Sequence, residues 1–111
     1  MFAVGQHHNP PFVASSPTTT LAWIGAQTKN IILSTSTTLI TTTDPVRIAE
    51  DYGMLQHLTD GRMDLMLGRG NTGPVYPWFG KDIRDGIDLA IENYALLRRL
   101  WDEDVVTWEG R

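Results

Sequence analysis

Three clusters of polar residues in this chain have the composition to do chemistry. Gln6-His7-His8-Asn9 places two imidazoles side by side, Ser34 to Thr38 is a run of hydroxyls, and Gly68-Arg69-Gly70-Asn71 sets a cation between two glycines. A histidine exchanges its proton near neutral pH and so suits general acid–base work. His7 therefore reads in two ways, as a proton-transfer residue or as a loop histidine bonded to backbone. In an extended segment His7 and His8 would point to opposite sides, and there is no cysteine to complete a zinc set, so a metal ion is not expected. Arginine recognises anionic oxygens through two parallel N–H donors, and flanking glycines let backbone come close to a ligand. Arg69 is thus either an anchor for an anion or an electron-rich ring, or an arginine paired with Asp64 or Asp82. Gly68 to Gly73 has neither the lysine nor the spacing of a P-loop, and it does not match a dinucleotide fingerprint.

These clusters need elements to position them. Apolar runs begin at Phe2, Ile31 and Met63, and each leads through a polar loop into a helical pattern. Their spacing, roughly 30 residues, is that of a strand-loop-helix module and predicts parallel strands near residues 2 to 6, 31 to 36 and 63 to 67. Ser16 before Pro17 and Asp44 before Pro45 are helix starts, since proline at the first helical position loses no hydrogen bond. The first helix carries Leu21, Ile24 and Thr28 on one face and should end near Asn30. The second carries Ile48, Tyr52 and Leu55. Asp60-Gly61 predicts a turn before the third strand. A long loop from Arg69 to Arg84 holds Tyr76, Trp78 and Phe79, read as a functional lid or, for Phe79 in particular, as a hydrophobic plug. The last helix is predicted from Asp85 to Trp101 with Ile87, Ile91, Tyr94 and Trp101 as its apolar stripe. Val105 to Trp108 is predicted as a short strand.

In parallel α/β folds, ligands gather at the carboxyl ends of the strands, which is where all three polar clusters fall. A (β/α)8 barrel needs about 250 residues. Residues 1–111 supply about three strand-helix units, so the expected fold is α/β, a partial (β/α)8 TIM barrel, with the chain a fragment of that domain. Uncovered sheet edges and apolar faces then predict a homo-oligomer.

Composition narrows the function classes. Hydrophobic residues make up 41% and charged residues 20%, with a formal net charge of −4 and a pI of about 5.1. That acidic balance gives no support for nucleic-acid binding, which shows as a basic patch. No apolar run approaches the roughly 20 residues of a membrane-spanning helix, and the start of the chain lacks a charged leader. The expectation is a cytoplasmic globular fragment, with no nucleic acid and no membrane.

The chain resembles the bacterial luciferase-like monooxygenase family across nearly its full length. The match is carried by Gln6-His7-His8, where the family usually has Glu-His-His, and by Asp44-Pro45-Val46-Arg47 with Glu50-Asp51 behind it. Asp60-Gly61-Arg62 leading to Gly68-Arg69-Gly70, and Phe79-Gly80 with Asp82, complete it. The resemblance implies a flavin-dependent oxidoreductase, a monooxygenase using reduced FMN and oxygen on a small organic substrate. The alternatives are a deazaflavin-dependent hydride transferase or a truncated non-catalytic remnant. By the same resemblance His7 looks like the catalytic histidine, and Ser36 and Thr37 look like a backbone bulge under the isoalloxazine ring, expected as a non-proline cis peptide or at least a marked bulge. Arg69, with Asn71, looks like part of the cofactor site. Two positions depart from the family: Gln6 replaces an acid, and Ile87 falls near where luciferase has a second phosphate-binding arginine.

Overall fold

A computed structural model describes residues 1–111. In chain order the elements are β1 (Phe2–Val4), α1 (Pro17–Gln27), β2 (Leu33–Thr35), β3 (Thr38–Leu39), α2 (Pro45–Leu58), β4 (Leu67–Gly68), two 3-10 turns (Gly73–Phe79 and Ile83–Asp85) and α3 (Gly86–Asp102). They divide into two compact units, one of Met1–Thr38 with Asp51–Leu67 and one of Leu39–Glu50 with Gly68–Arg111. No helix is long and apolar enough to cross a membrane.

In the first unit β1 and β2 pair in parallel, with Phe2, Ala3 and Val4 opposite Leu33, Ser34 and Thr35. On the other side of β2, Leu33 forms a parallel bridge with Met63. The parallel arrangement is therefore as predicted, but each strand is shorter than the sequence suggests. The third shows why. Between Met63 and Leu67 the Thr35 hydroxyl enters the ladder: it accepts from the Met66 N–H (3.2 Å) and donates to the Met66 carbonyl (2.7 Å), which also accepts from the Thr38 backbone N–H (2.9 Å). A side chain thus supplies the partner of the Met66 N–H, so the ladder is interrupted there while the segment stays aligned.

α1 starts where Pro17 predicts and buries Leu21 against the sheet unit, where Leu33 is also fully buried. Its backbone comes so close at Gly25 that a Cβ there would lie 2.8 Å from Thr59 Cγ2 and 3.2 Å from Leu33 Cδ1. The helix ends at Gln27, short of Asn30, because its last carbonyls are taken by a side chain from another segment. Arg62 donates to the carbonyls of Gly25 (2.9 Å), Thr28 (3.0 Å) and Ile31 (3.0 Å), to the Thr28 hydroxyl (2.9 Å), and through Nε to the Thr59 carbonyl (2.8 Å). Helix C-termini leave carbonyls without intrahelical partners, and a guanidinium with five donors meets that need while complementing the negative end of the helix dipole. The turn that delivers Arg62 uses Asp60 and Gly61, both at positive φ (54° and 78°).

α2 begins as predicted, with Asp44 Oδ1 accepting from the Val46 N–H at 2.8 Å, and Ile48, Tyr52 and Leu55 are all buried. Tyr52 Oη shares a 2.6 Å hydrogen bond with Thr38 Oγ1, which satisfies both polar atoms inside the first unit.

In the second unit the long loop is ordered by its two 3-10 turns. Val75 and Tyr76 are the residues it buries, whereas Trp78 and Phe79 stay exposed, so the plug reading of Phe79 is not what the fold uses. α3 matches its predicted bounds to within one residue, but the predicted stripe is on its outside. Ile87, Ile91, Tyr94 and Trp101 are exposed, and Leu89 and Leu97 are buried. Asn93, on the buried side, donates to the Ile40 carbonyl at 2.8 Å. Val105 to Trp108 is not a strand. Arg99 holds it instead, donating to the Thr107 carbonyl (3.2 Å) and stacking its guanidinium 5.7 Å from the centre of the Trp108 ring.

The Arg62 cluster yields the first test. Lysine keeps the charge but cannot reach five acceptors, so Arg62→Lys is expected to destabilise the chain by about 2–3 kcal/mol, in line with the loss of charge-assisted hydrogen bonds. Urea denaturation checks this, and a variant as stable as the parent would show that the cluster contributes little.

Candidate functional site

The first unit places the residues predicted at the ends of its strands next to one another. β1 stops at Val4, whose carbonyl accepts the Ser36 N–H at 2.9 Å. Gly5 follows, and a Cβ there would lie 2.8 Å from the Ser36 carbonyl oxygen and 3.4 Å from His7 Nε2. Only glycine lets the two strand ends approach this closely. Gln6 then donates its N–H to the Thr37 carbonyl at 3.0 Å. The Ser36–Thr37 peptide bond is cis, as the resemblance implies. His7, Ser36 and Thr37 are thus held together by backbone contacts through Gly5 and Gln6.

His7 is half-buried, gives its N–H to the Ala14 carbonyl (3.0 Å), and stacks its ring on Phe12 at 3.9 Å with planes 14° apart. Its main chain is thus tied to Ala14 while its ring is oriented by the aromatic face of Phe12. His8 lies beside the buried Gln6 side chain, Nε2 to Nε2 at 3.2 Å. Burial, and then the adjacent His7, hold the His8 imidazole below the ordinary histidine range. Ser34, in the middle cluster, is committed to structure, donating to Asp64 Oδ2 at 2.7 Å.

In the second unit the Gly68-to-Asn71 loop is built around the Arg69 carbonyl. That oxygen takes hydrogen bonds from Thr41 Oγ1 (2.5 Å) and Tyr76 Oη (2.6 Å), filling both lone pairs, and both donors are fully buried. Gly70 sits at φ 76° against Leu39. The aliphatic stem of Arg69 crosses Gly86 at the start of α3, where a Cβ would come within 3.2 Å of Arg69 Cδ and 3.1 Å of Tyr76 Oη. Backbone and stem are therefore fixed while the residue itself is exposed. Within the same unit, Asp82 is chelated by Arg84 at 2.5–3.1 Å, which holds its carboxyl down to about 2. Asn71 is exposed beside it in sequence. No group of three or more His, Cys, Asp or Glu residues gathers anywhere in the chain in a way that could hold a metal ion.

Sequence reasoning missed the residues beneath Arg69. Tyr76 reads as one of three loop aromatics and Thr41 as one of many threonines; nothing in their spacing marks them as donors to one carbonyl. The loss of one donor leaves that buried carbonyl with the other, and the loss of both leaves it bare. Tyr76→Phe is accordingly expected to cost about 1 kcal/mol, and adding Thr41→Val to cost more than the two single changes summed, by about 1 kcal/mol. Denaturation of the two single variants and the double variant measures the coupling, and strict additivity would refute shared support of Arg69.

With the geometry in hand, similarity to known proteins is informative. The model of the luciferase-like monooxygenase family matches residues 1–111. An F420-dependent hydroxymycolic acid dehydrogenase of Mycobacterium tuberculosis is 33% identical over 98 residues, covering 85% of this chain and 27% of its own length. The crystal structure of the monooxygenase RslO1 from Streptomyces bottropensis superposes with a TM-score of 0.87 at 28% identity, over 98% of this chain and 34% of that one. The oxygenating constituent of 3,6-diketocamphane monooxygenase from Pseudomonas putida, solved in complex with FMN, superposes at 0.90 and 21% identity over 98% of this chain and 31% of that one, a likeness of fold. The chain thus spans about a third or less of the length of these relatives, and its parallel strands and helices take the fold of part of a TIM-type (β/α) barrel. A family match over the whole of residues 1–111, together with the RslO1 likeness, means that the chain belongs to the luciferase-like monooxygenase family.

Proposed function

We propose that this chain is part of a flavin-dependent oxidoreductase of the monooxygenase type, one that uses reduced FMN and oxygen on a small organic substrate. In this reading residues 1–111 form part of a (β/α)8 barrel domain. The observation that carries the reading is Arg69: its backbone is fixed by Thr41 and Tyr76, its stem lies along Gly86, and Asp82 is occupied by Arg84. Such an arginine suits a phosphate dianion, and Asn71 adds a neutral donor next to it in the loop. In the first unit the Ser36–Thr37 backbone would support the flavin ring, and the His7 imidazole would hold or release a proton during turnover. When bound, the flavin supplies the electrons, and the protein binds, orients and excludes water.

A second reading, hydride transfer with a deazaflavin and no oxygen step, is favoured by one observation, the 33% identity to an F420-dependent dehydrogenase. Deazaflavin and FMN differ in absorbance and fluorescence, so titration of the chain with each separates the two readings. A chain that takes up neither would instead be a non-catalytic remnant. We also infer self-association, supported by the exposed Ile87, Ile91 and Tyr94 on α3. A single monomeric species in sedimentation would contradict it.

The Arg69 reading makes a specific demand. Arg69→Ala is expected to weaken FMN binding by about 10- to 100-fold, the range of a charge-assisted pair, and to leave riboflavin, which has no phosphate, unchanged. Fluorescence-quenching titrations of both ligands check this. Equal losses for the two would show that Arg69 does not read the phosphate.

A further inference from the structure

We propose that Gln6 is a positioning residue that locks His8 in its neutral Nδ1–H tautomer, leaving His7 as the imidazole at the end of β1 that exchanges a proton. The inference deepens the function proposed above and rests on it for the role of His7. It does not rest on it for the state of His8.

Gln6 is almost fully buried (8% exposed), and its main chain is anchored by the hydrogen bond to the Thr37 carbonyl. Its side-chain nitrogen lies 3.2 Å from His8 Nε2. An amide nitrogen only donates, so the ring nitrogen facing it must accept. A neutral imidazole has one acceptor nitrogen, and if that is Nε2 the proton sits on Nδ1. An imidazolium has no acceptor at all. A charged His8 would therefore put two donors face to face beside a buried side chain, a costly arrangement.

The surroundings act in the same direction. His7 is the titratable neighbour of His8, and together with burial it disfavours a charge there. The sign follows: with the folded value below the unfolded one, the contribution of neutral His8 is fully present above about pH 6.5 and is lost as pH falls below it. His7 is placed differently, with its ring stacked on Phe12 and its backbone N–H given to the Ala14 carbonyl. The two adjacent imidazoles thus have separate environments and separate tasks.

Position 6 is where this chain has glutamine and the family resemblance implies glutamate. A carboxylate only accepts, so it would require Nε2–H on His8 and would favour the imidazolium. One change of oxygen to nitrogen inverts both the tautomer and the preferred charge.

The test is long-range 15N–1H correlation NMR on the 111-residue chain labelled at histidine, with His57→Gln used for assignment. The parent chain is expected to show His8 as the Nδ1–H tautomer at pH 7.5. Gln6→Glu is expected to move the proton to Nε2 and raise the His8 midpoint by about one pH unit or more. Gln6→Met, similar in size but without a donor, is expected to give a mixture of tautomers. An Nε2–H tautomer in the parent chain would overturn the proposal, as would a His8 midpoint unmoved by Gln6→Glu. Should a variant fail to fold, the parent tautomer alone decides. The readout needs no cofactor, so a failed flavin titration and a wrong tautomer are separate results.

Discussion

The guanidinium of Arg62 ties three pieces of the first unit together. It closes the end of α1, fixes the turn after α2, and sets the chain on course to lie parallel to β2. Its acceptors are the carbonyls of Gly25, Thr28, Ile31 and Thr59 and the Thr28 hydroxyl. A helix end buried without such partners is unstable, so the close approach of α1 at Gly25 depends on this one side chain. The strand ends that carry Gln6, His7, Ser36 and Thr37 belong to the same packed unit. Their relative placement is therefore set partly by a residue that does no chemistry.

The same logic appears in the second unit. There a single carbonyl, that of Arg69, is the point to which Thr41 and Tyr76 converge. Both clusters gather several hydrogen bonds on one residue; around Arg62 they share one guanidinium, whereas at Arg69 either donor alone still serves the carbonyl and only the loss of both leaves it bare. The difference lies in exposure. Arg62 spends all five donors on the protein, whereas Arg69 presents its guanidinium outward.

Much of the fold was legible in the residues because it is written in local rules. Pro17 and Pro45 mark helix starts, Asp60-Gly61 marks a turn at positive φ, and near-equal spacing of apolar runs marks parallel strand-helix units. What local rules do not contain was missed. Thr35 shortens a ladder by bonding Met66 through its side chain, and no propensity scale encodes that. The apolar stripe of α3 is real, but periodicity reports that a helix has a greasy side and not which side is covered; Leu89 and Leu97 are buried while Ile87 and Ile91 are not. The candidate site divides in the same way. Its front residues stand just after strands and could be found by position. Gln6 could be found too, as a departure from the family pattern, but Tyr76, Thr41 and Gly86, which support Arg69, come from separate parts of the chain, and only the fold brings them together.

The proposal tested most directly is that the Arg69 loop holds a flavin phosphate. The measurement is 15N–1H correlation NMR of the labelled chain as FMN is added. Saturable shifts of the amide signals of Gly68, Arg69, Gly70 and Asn71 are expected. Saturable shifts confined to other residues, or none at all, would contradict it.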